Sequence, residues 1–586
     1  MKKLQCIPLL FSVCLMAGST ACVDHDYDLS EDIDLTVKFG ETLTLPASST
    51  EELSFKKILD LESDSSIKAV QSDGEYGLKA GDYVLVQNGN SEAATIEIGT
   101  VEIDNLRGES ASSALDPFIV GTDELITVAA SPTFNAINIS DDNVTDEIVQ
   151  VDAADLDIVI QFSVGYSSQN FNGVAYINAG YTATFDESWT VELAGTSAAA
   201  YLEMLDAHTA RFTRDCEVWP GKPFVADMRL THVDCTKLPA GQGLYAPGHF
   251  KLSSQIESKG NISIQASDVT GNIANLTLET STSVKNADIL AVTGIVNPRI
   301  DISPVSFEIN DIPEFLEAEG NNLDIQNPQI HFTLTNTAPV TLDVNGMLLA
   351  HYSSKPEFNV GLGEKYGTAP IVVMPGATTN YVVSREPVSI AGVQNIVVPE
   401  LGALMSTVPE EIMFEDISAQ VRQEPVTFTL GTSYSYNCDY EAVVPLAFGK
   451  DMRLEYSTDQ ADWDSDLDKY NFNKVRVELS VTNTIPMQMV PAVEAIDRAG
   501  NVIPDITATV DGVVGAGMID SPGVSELVIT LESRAANLGN LDGVRINFTG
   551  TTPEEFVGVN LNENQSLRFS DIKITILGGI TIDLND

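Results

Sequence analysis

Residues 157–164 read Asp-Ile-Val-Ile-Gln-Phe-Ser-Val. Ile158, Ile160, Phe162 and Val164 alternate with Asp157, Val159, Gln161 and Ser163. In extended backbone successive side chains point to opposite faces, so this spacing predicts a strand with one apolar face and one wetter face. The same period-two pattern recurs outward from it. It runs through Ile262 and Ile264, through Val475, Val477, Leu479 and Val481, and through Leu527, Ile529 and Leu531. Near the end, Ile572, Ile574 and Ile576 precede Gly578-Gly579, and Ile580, Ile582 and Leu584 follow. That stretch is either two strands joined by a hairpin turn or one long strand broken by a bulge. Strands that bury one face and wet the other are those of antiparallel sandwiches.

Helical signal is sparse. Leu53–Leu61 and Ala198–Ala207 each fit one short helix, Pro313–Ala318 a single turn, and Leu401–Met413 a loop with a short helix. No sustained heptads appear, so coiled-coil assembly is not indicated. The expected fold is therefore mainly β, with several antiparallel β-sandwich (Ig-like) domains in tandem. With 586 residues the chain exceeds what one core usually supports.

A repeat marks two of these domains. Ile330-His331-Phe332-Thr333-Leu334-Thr335-Asn336-Thr337-Ala338-Pro339 matches Val477-Glu478-Leu479-Ser480-Val481-Thr482-Asn483-Thr484-Ile485-Pro486. Each copy is an alternating strand followed by Thr-Asn-Thr-x-Pro, and a fainter copy ends Thr549-Gly550-Thr551-Thr552-Pro553. Thr and Asn side chains bond the local backbone as the strand ends, and proline stops the ladder. Ile330, Phe332 and Leu334 are expected to face inward, as are Val477, Leu479 and Val481. The first copy, preceded by Asn327-Pro328, resembles the strand-and-turn core of LEA-14/WHy-type sandwich domains, a family in which this segment carries no catalytic residues. The expected division is a tether to about Gly40, a small β-rich domain at 41–145, and sandwiches at 146–303, 304–444 and 445–586.

The amino terminus gives an address. Lys2 and Lys3 precede an apolar run from Ile7 to Ala17, and Gly18-Ser19-Thr20-Ala21 precede Cys22. Cations, a short apolar core and a small-residue exit make a secretory signal peptide over 1–21, too short to span a bilayer. Small residues before Cys22 resemble a bacterial lipobox, with Ser19 where leucine is usual. The following Val23-Asp24-His25-Asp26-Tyr27-Asp28 and Glu31-Asp32 are similar to the acidic export leader of Bacteroidota-type surface lipoproteins. That resemblance implies lipid attachment at Cys22, a membrane partner through that anchor, and an outer-membrane, surface-exposed location.

Charge narrows the partners. The chain carries 84 acidic and 31 basic residues, a formal net charge of -53. Such a surface excludes nucleic acid, whose phosphates need a basic footprint. A mean hydropathy of +0.04 with 43% hydrophobic residues indicates a folded body with an acidic surface.

The candidate chemistry is thin. Beyond the leader and Cys22 there remain Cys216, Cys235 and Cys438. In an oxidising compartment Cys216 and Cys235 are the natural disulfide pair, worth about 3 kcal/mol in the loop-entropy account; the alternative is three unbonded thiols. Asp462, Asp464, Asp466 and Asp468 alternate as calcium prefers its oxygens, but Leu467 and Asn473 stand where an EF-hand needs glycine and an acid. Calcium is the only cofactor the sequence suggests, and an acidic connecting loop is the competing reading. Trp463 in that run is a candidate ligand-contact ring, competing with core filling. No G-x-S-x-G, H-E-x-x-H or P-loop occurs, and Gly361-Leu362-Gly363 with Gly367 reads as a turn. The expected function is a non-enzymatic surface module that binds, adheres or supports, with a protein or glycan ligand. The alternative is a glycan-handling lipoprotein, either binding or hydrolytic.

Overall fold

A computed structural model describes residues 36–583 apart from 40–41, 48–50, 55–66, 90–91, 104, 120–124, 247, 272, 299, 301, 303–304, 309–320, 353–354, 405–408, 462–469, 472, 535–537, 539–540 and 579. The fold is mainly β, built as sheets packed in pairs. Among the described residues one α-helix occurs, Gly195–Tyr201, and no helix is long and apolar enough to cross a membrane.

The first sandwich holds the stretch that opened the sequence reading. Ile148–Ser168 lies between Phe224–Asp234 and Leu276–Val296 in a seven-stranded sheet. Ile158, Ile160, Phe162 and Val164 are fully buried, as their alternation requires. The facing nine-stranded sheet is centred on His249–Gln265 paired with Leu125–Asp141. Phe212 and Phe224 meet edge to face across the gap, with centroids 5.0 Å apart. A polar girdle crosses the same core: Thr280 Oγ1 bonds Asn135 Oδ1 at 2.7 Å and Thr133 Oγ1 at 3.0 Å.

The second and third sandwiches share one plan. Gln329–Asn336 lies between Ala377–Ser384 and Tyr434–Pro445. Lys474–Asn483 lies between Gly523–Ser533 and Ser566–Leu577. In each, the next strand, Leu342–His351 or Gln488–Ile496, crosses to the facing sheet and pairs there with Glu411–Val421 or Gly543–Thr551. The corner between these strands is the Thr-Asn-Thr-x-Pro repeat. Asn336 Nδ2 donates to Val340 O and Met374 O, and its Oδ1 accepts from Ala338 N. Asn483 Nδ2 donates to Met487 O and Gly515 O, and its Oδ1 accepts from Ile485 N. Thr337 exchanges hydrogen bonds with Ser435 as Thr484 does with Ser566. Pro339 and Pro486 both sit in the bend beyond the strand end. Ile330, Phe332, Leu334, Leu479 and Val481 are buried, whereas Val477 is half-buried. Among the described residues the facing sheet of the third sandwich has three strands against five in the second.

The expected small domain at 41–145 is not a unit of its own. Its strands pair with one another only at Ile67–Ala69 with Tyr83–Asn88 and at Asn105–Gly108 with Leu125–Asp141, and both pairs are parts of larger sheets, so these residues extend three sandwiches. Thr42–Ala47 and Glu51–Ser54 run along Ser566–Leu577 in the third sandwich. Tyr83–Asn88 and Glu92–Ile96 run along Tyr434–Pro445 in the second. Val101–Glu102 and Ser110–Ala114 run along Leu276–Val296 in the first, where Leu125–Asp141 is also fully incorporated. The physical reason is edge satisfaction. Each sandwich ends on a long strand whose outer N–H and C=O groups need partners.

Local expectations are corrected in the same way. Leu53 lies in strand Glu51–Ser54 rather than a helix, and most of Leu53–Leu61 and all of Pro313–Ala318 lie outside the described residues. The helix expected at Ala198–Ala207 begins at Gly195, and Leu202–Met204 has already become a strand. Pro399–Ala403 is a short 3-10 turn, and Met413 belongs to strand Glu411–Val421. Ile580–Asp583 continues the line of Ser566–Leu577 past Gly578 (φ 92°) and pairs with Thr36–Phe39, which is the broken-strand alternative.

The two corner asparagines should be stability determinants. Asn336→Ala or Asn483→Ala leaves a buried N–H and carbonyls unpaired and should cost about 3 kcal/mol. Asn→Asp should cost at least as much, because a carboxylate cannot donate to the two carbonyls. Urea midpoints of the variants check this; midpoints equal to wild type would show that the corner is held by other contacts.

Candidate functional site

The cysteines do not form the expected bridge. Cys216, Cys235 and Cys438 are all free. Cys216 begins strand Cys216–Val218 in the nine-stranded sheet, whereas Cys235 follows Phe224–Asp234 in the opposite sheet. Burial pushes the Cys216 thiol up to about 11 and the Cys235 and Cys438 thiols up to about 12, so none is a ready nucleophile. Asp462, Asp464, Asp466, Asp468 and Trp463 lie outside the described residues, as does Cys22. Among the described residues no group of His, Cys, Asp and Glu is arranged to hold a metal. Gly363 (φ 97°) and Gly367 (φ 78°) flank a 3-10 turn, which fits the reading of that glycine run as a turn. The turn borders a cleft of about 460 Å³ lined by Tyr366, Thr368, Val397 and Glu400. Two of its polar side chains are engaged elsewhere: Tyr366 donates to Asp416, and Thr368 Oγ1 bonds Gly363.

A titratable cluster sits on the second sandwich. His331 and Glu441 are cross-strand neighbours. Tyr76, from the N-terminal stretch, is held at φ 53° above them. Its hydroxyl donates to Glu441 Oε1 at 3.2 Å, and its ring meets His331 edge-on with centroids 5.5 Å apart. Gln329 completes the set, with Oε1 2.8 Å from His331 Nε2 and Nε2 donating to Tyr76 O. Burial lowers the His331 imidazole to about 4, and burial raises the Glu441 carboxyl despite the Tyr76 hydrogen bond. These groups bond one another, and the arrangement fastens the N-terminal strap to the sheet.

The first sandwich presents a different surface at the end remote from the second. Contact with the second sandwich is made at Ala291–Gly294, where Val426–Thr429 pairs. The opposite end of that long strand is Leu276, roughly 50 Å away at strand rise. There Val218 pairs with Ala175, and Ala175 with Ile264, all facing the core. Residues one step along lie on the other face, where Trp219, Leu125, Glu217 and Thr127 are exposed, Val174, Tyr176 and Gln265 are half-buried, and Ser263 is buried beneath its neighbours. One row holds Glu217, Tyr176, Ser263 and Thr127; at the tip beyond it Gln265 pairs with Leu125, and Trp219 and Val174 lie one residue past the last paired positions Val218 and Ala175. A third row adds Asn178 and Asn261, whose backbones are bonded. Ser263 Oγ ties the rows together, 2.7 Å from Thr127 Oγ1 and 2.8 Å from Asn178 Oδ1.

Trp219 is 47% exposed, in contrast to Trp189 at 1%. It opens the turn Trp219-Pro220-Gly221-Lys222, closed by Lys222 N donating to Trp219 O at 2.9 Å. Proline second and glycine third with φ 69° are the requirements of a type II turn, so the indole stands on a rigid hairpin. Sequence reading missed this face. The available signal was the Trp-Pro-Gly-Lys turn, together with Tyr176 and Asn178 alternating with Ala175 and Ile177.

No family model matches the chain, and no curated protein matches it. Among solved structures, a candidate secreted protein from Parabacteroides distasonis ATCC 8503 is similar over 49% of this chain and 83% of its own, at 15% identity and a TM-score of 0.36. The Sulfolobus turreted icosahedral virus structure aligns with 80% of this chain and 92% of its own, at 9% identity and a TM-score of 0.11. The T=1 particle derived from infectious bursal virus covers 90% of this chain and 84% of its own, at 9% identity and a TM-score of 0.12. At these scores the likenesses carry no functional inference.

The strap should loosen in acid. The folded pKa of His331 lies below its unfolded value, so the unfolded chain binds more protons between about 6.5 and 4. Stability from this group is full above pH 6.5 and is lost as pH falls toward 4. The raised Glu441 carboxyl opposes the trend, because its folded form holds a proton longer. His331→Gln should flatten the fall in urea midpoint between pH 6.5 and 4. An unchanged slope would remove His331 from the acid response.

Proposed function

We propose that this chain is a lipid-tethered surface module without a catalytic step, which holds its first sandwich away from a bacterial outer membrane to meet a ligand. The observation that carries this reading is the order in which the N-terminal strands pair. Residues 36–54 enter the third sandwich, 67–96 the second and 101–141 the first. Cys22 precedes Thr36 by a short acidic stretch, so a lipid there anchors the chain beside the third sandwich. Counted outward from the membrane, the sandwiches then run third, second, first, the reverse of sequence order. The second stands between the others, bonded to the third through Leu446 and Leu561 and to the first through Leu430 and Leu290.

The physical chemistry is consistent with that placement. Several acyl chains, each worth about 0.8 kcal/mol per buried methylene, make a stable tether. Loss of Lys2 and Lys3 with the leader takes the net charge from -53 to -55 (29 basic, 84 acidic), which keeps the body off anionic lipid. The remote end of the first sandwich is the part free to meet a protein or glycan at the surface. Its outer face is an array of side chains on paired strands, joined to a hairpin loop held by that scaffold.

Two measurements test the reading. Cys22→Ala should move the protein from the membrane fraction to a soluble or unprocessed form. Retention in the membrane with the leader removed would end the anchoring assignment. An epitope inserted at Gly221 should be reached by antibody on intact cells. Labelling only after lysis would place the first sandwich on the inner side and overturn the display model.

A further inference from the structure

We infer that the outer face at the remote end of the first sandwich is a binding site for a neutral oligosaccharide, with the rings of Trp219 and Tyr176 as its floor. This inference rests on the reading of the chain as a binding module and names the ligand class. Tyr176 pairs with Glu217, and Trp219 lies two residues beyond Glu217 on the same face. The two residues are thus diagonal cross-strand neighbours, about 7–8 Å apart and somewhat closer at their Cβ atoms. Diagonal neighbours on one pleated face present their rings along a line, in reach of successive units of an extended chain.

The groups around the rings select the occupant. Gln265, Asn178 and Asn261 bring amides that can both donate and accept, and Asn261 is exposed. Amides and hydroxyls flanking an aromatic floor match a pyranose, which has an apolar C–H face and a rim of hydroxyls. Glu217 is exposed on the same face and accepts hydrogen bonds only. It suits sugar hydroxyls and repels carboxylated or sulfated sugars, as does the net charge of -53. A lipid or an apolar protein surface fits less well, because the rows that carry Tyr176 and Asn261 are polar: Ser263 bonds Thr127 in one and Asn178 in the other.

Rigidity favours binding as well. Pro220 and Gly221 fix the turn that bears Trp219, and Ser263 ties Thr127 to Asn178. A site ordered before the ligand arrives loses little side-chain entropy on binding. Trp219 and Tyr176 lie outside the core, so the variants that remove them are expected to keep the fold.

The test uses the mature full-length protein solubilised in detergent, so its outcome is independent of where the protein sits in the cell. Affinity gel electrophoresis against soluble neutral glycans (a xylan, a mannan, a β-glucan and an α-glucan) should retard the protein with at least one of them. Trp219→Ala and Tyr176→Ala should each weaken that retardation at least tenfold, and Trp219→Phe should retain most of it. Retardation should be insensitive to 0.5 M salt, because no ion pair is involved. Tryptophan fluorescence should shift on binding, and that shift should be absent in Trp219→Phe. Near-UV circular dichroism and urea midpoints confirm that each variant is folded. The inference is overturned if no neutral glycan retards the wild type, if both alanine variants bind unchanged, or if only charged glycans bind. Failure of the display model would appear separately, as the wrong fractionation or labelling in cells with glycan binding intact.

Discussion

The open edge of a β-sheet is the constraint on which the rest of this molecule depends. Leu276–Val296, Tyr434–Pro445 and Ser566–Leu577 are the last long strands of their sandwiches, and each has a side that its own unit leaves unpaired. Backbone groups there must find partners, or they template pairing with another chain. The stretch from Thr36 to Ala114 supplies those partners in all three units. The sandwiches are therefore not beads on a string. Residue 42 pairs with residue 577, so the third unit gains its full sheet only when both ends of the described chain have come together. Contacts of such separation make folding slow and the whole assembly cooperative.

The second constraint is local and occurs twice. A strand that must leave one sheet and enter the facing one passes through a corner where its backbone cannot follow a ladder. Asn336 and Asn483 replace the missing bonds with their amides, both fully buried. Threonine on one side and proline on the other close the turn. This shared corner makes the second and third sandwiches versions of one plan. The first departs from it: it is the larger, with strands of 21 residues in Ile148–Ser168 and Leu276–Val296, and it carries the indole-bearing hairpin.

These constraints decide where free surface remains. The strap consumes edges and the corners consume polar side chains, so the sheet faces and remote loops remain to meet other molecules. At the remote end of the first sandwich that free face is an ordered mixture of rings, amides and hydroxyls.

The sequence by itself determined the secondary structure class and much of the inward face. Alternation at 158–164, at 330–334 and at 479–481 is a local property of extended backbone, and it named residues that are buried. Its exclusions rest on composition: an excess of 53 acids does not depend on the fold. The corner motif was legible because side chains of Thr and Asn bond backbone within a few residues. Only the tertiary structure decided what depends on pairing between distant segments. Which edge the strands at 42–54 and 83–96 cover could not be read locally, because any open edge offers the same N–H and C=O groups. Cys216 and Cys235 are near in sequence, yet one lies in the nine-stranded sheet and the other directly follows a strand of the opposite sheet, which spacing could not show. Tyr176 and Trp219 became neighbours through the pairing of 175–177 with 216–218, and register is set by the buried face and the turns, not by the exposed residues themselves.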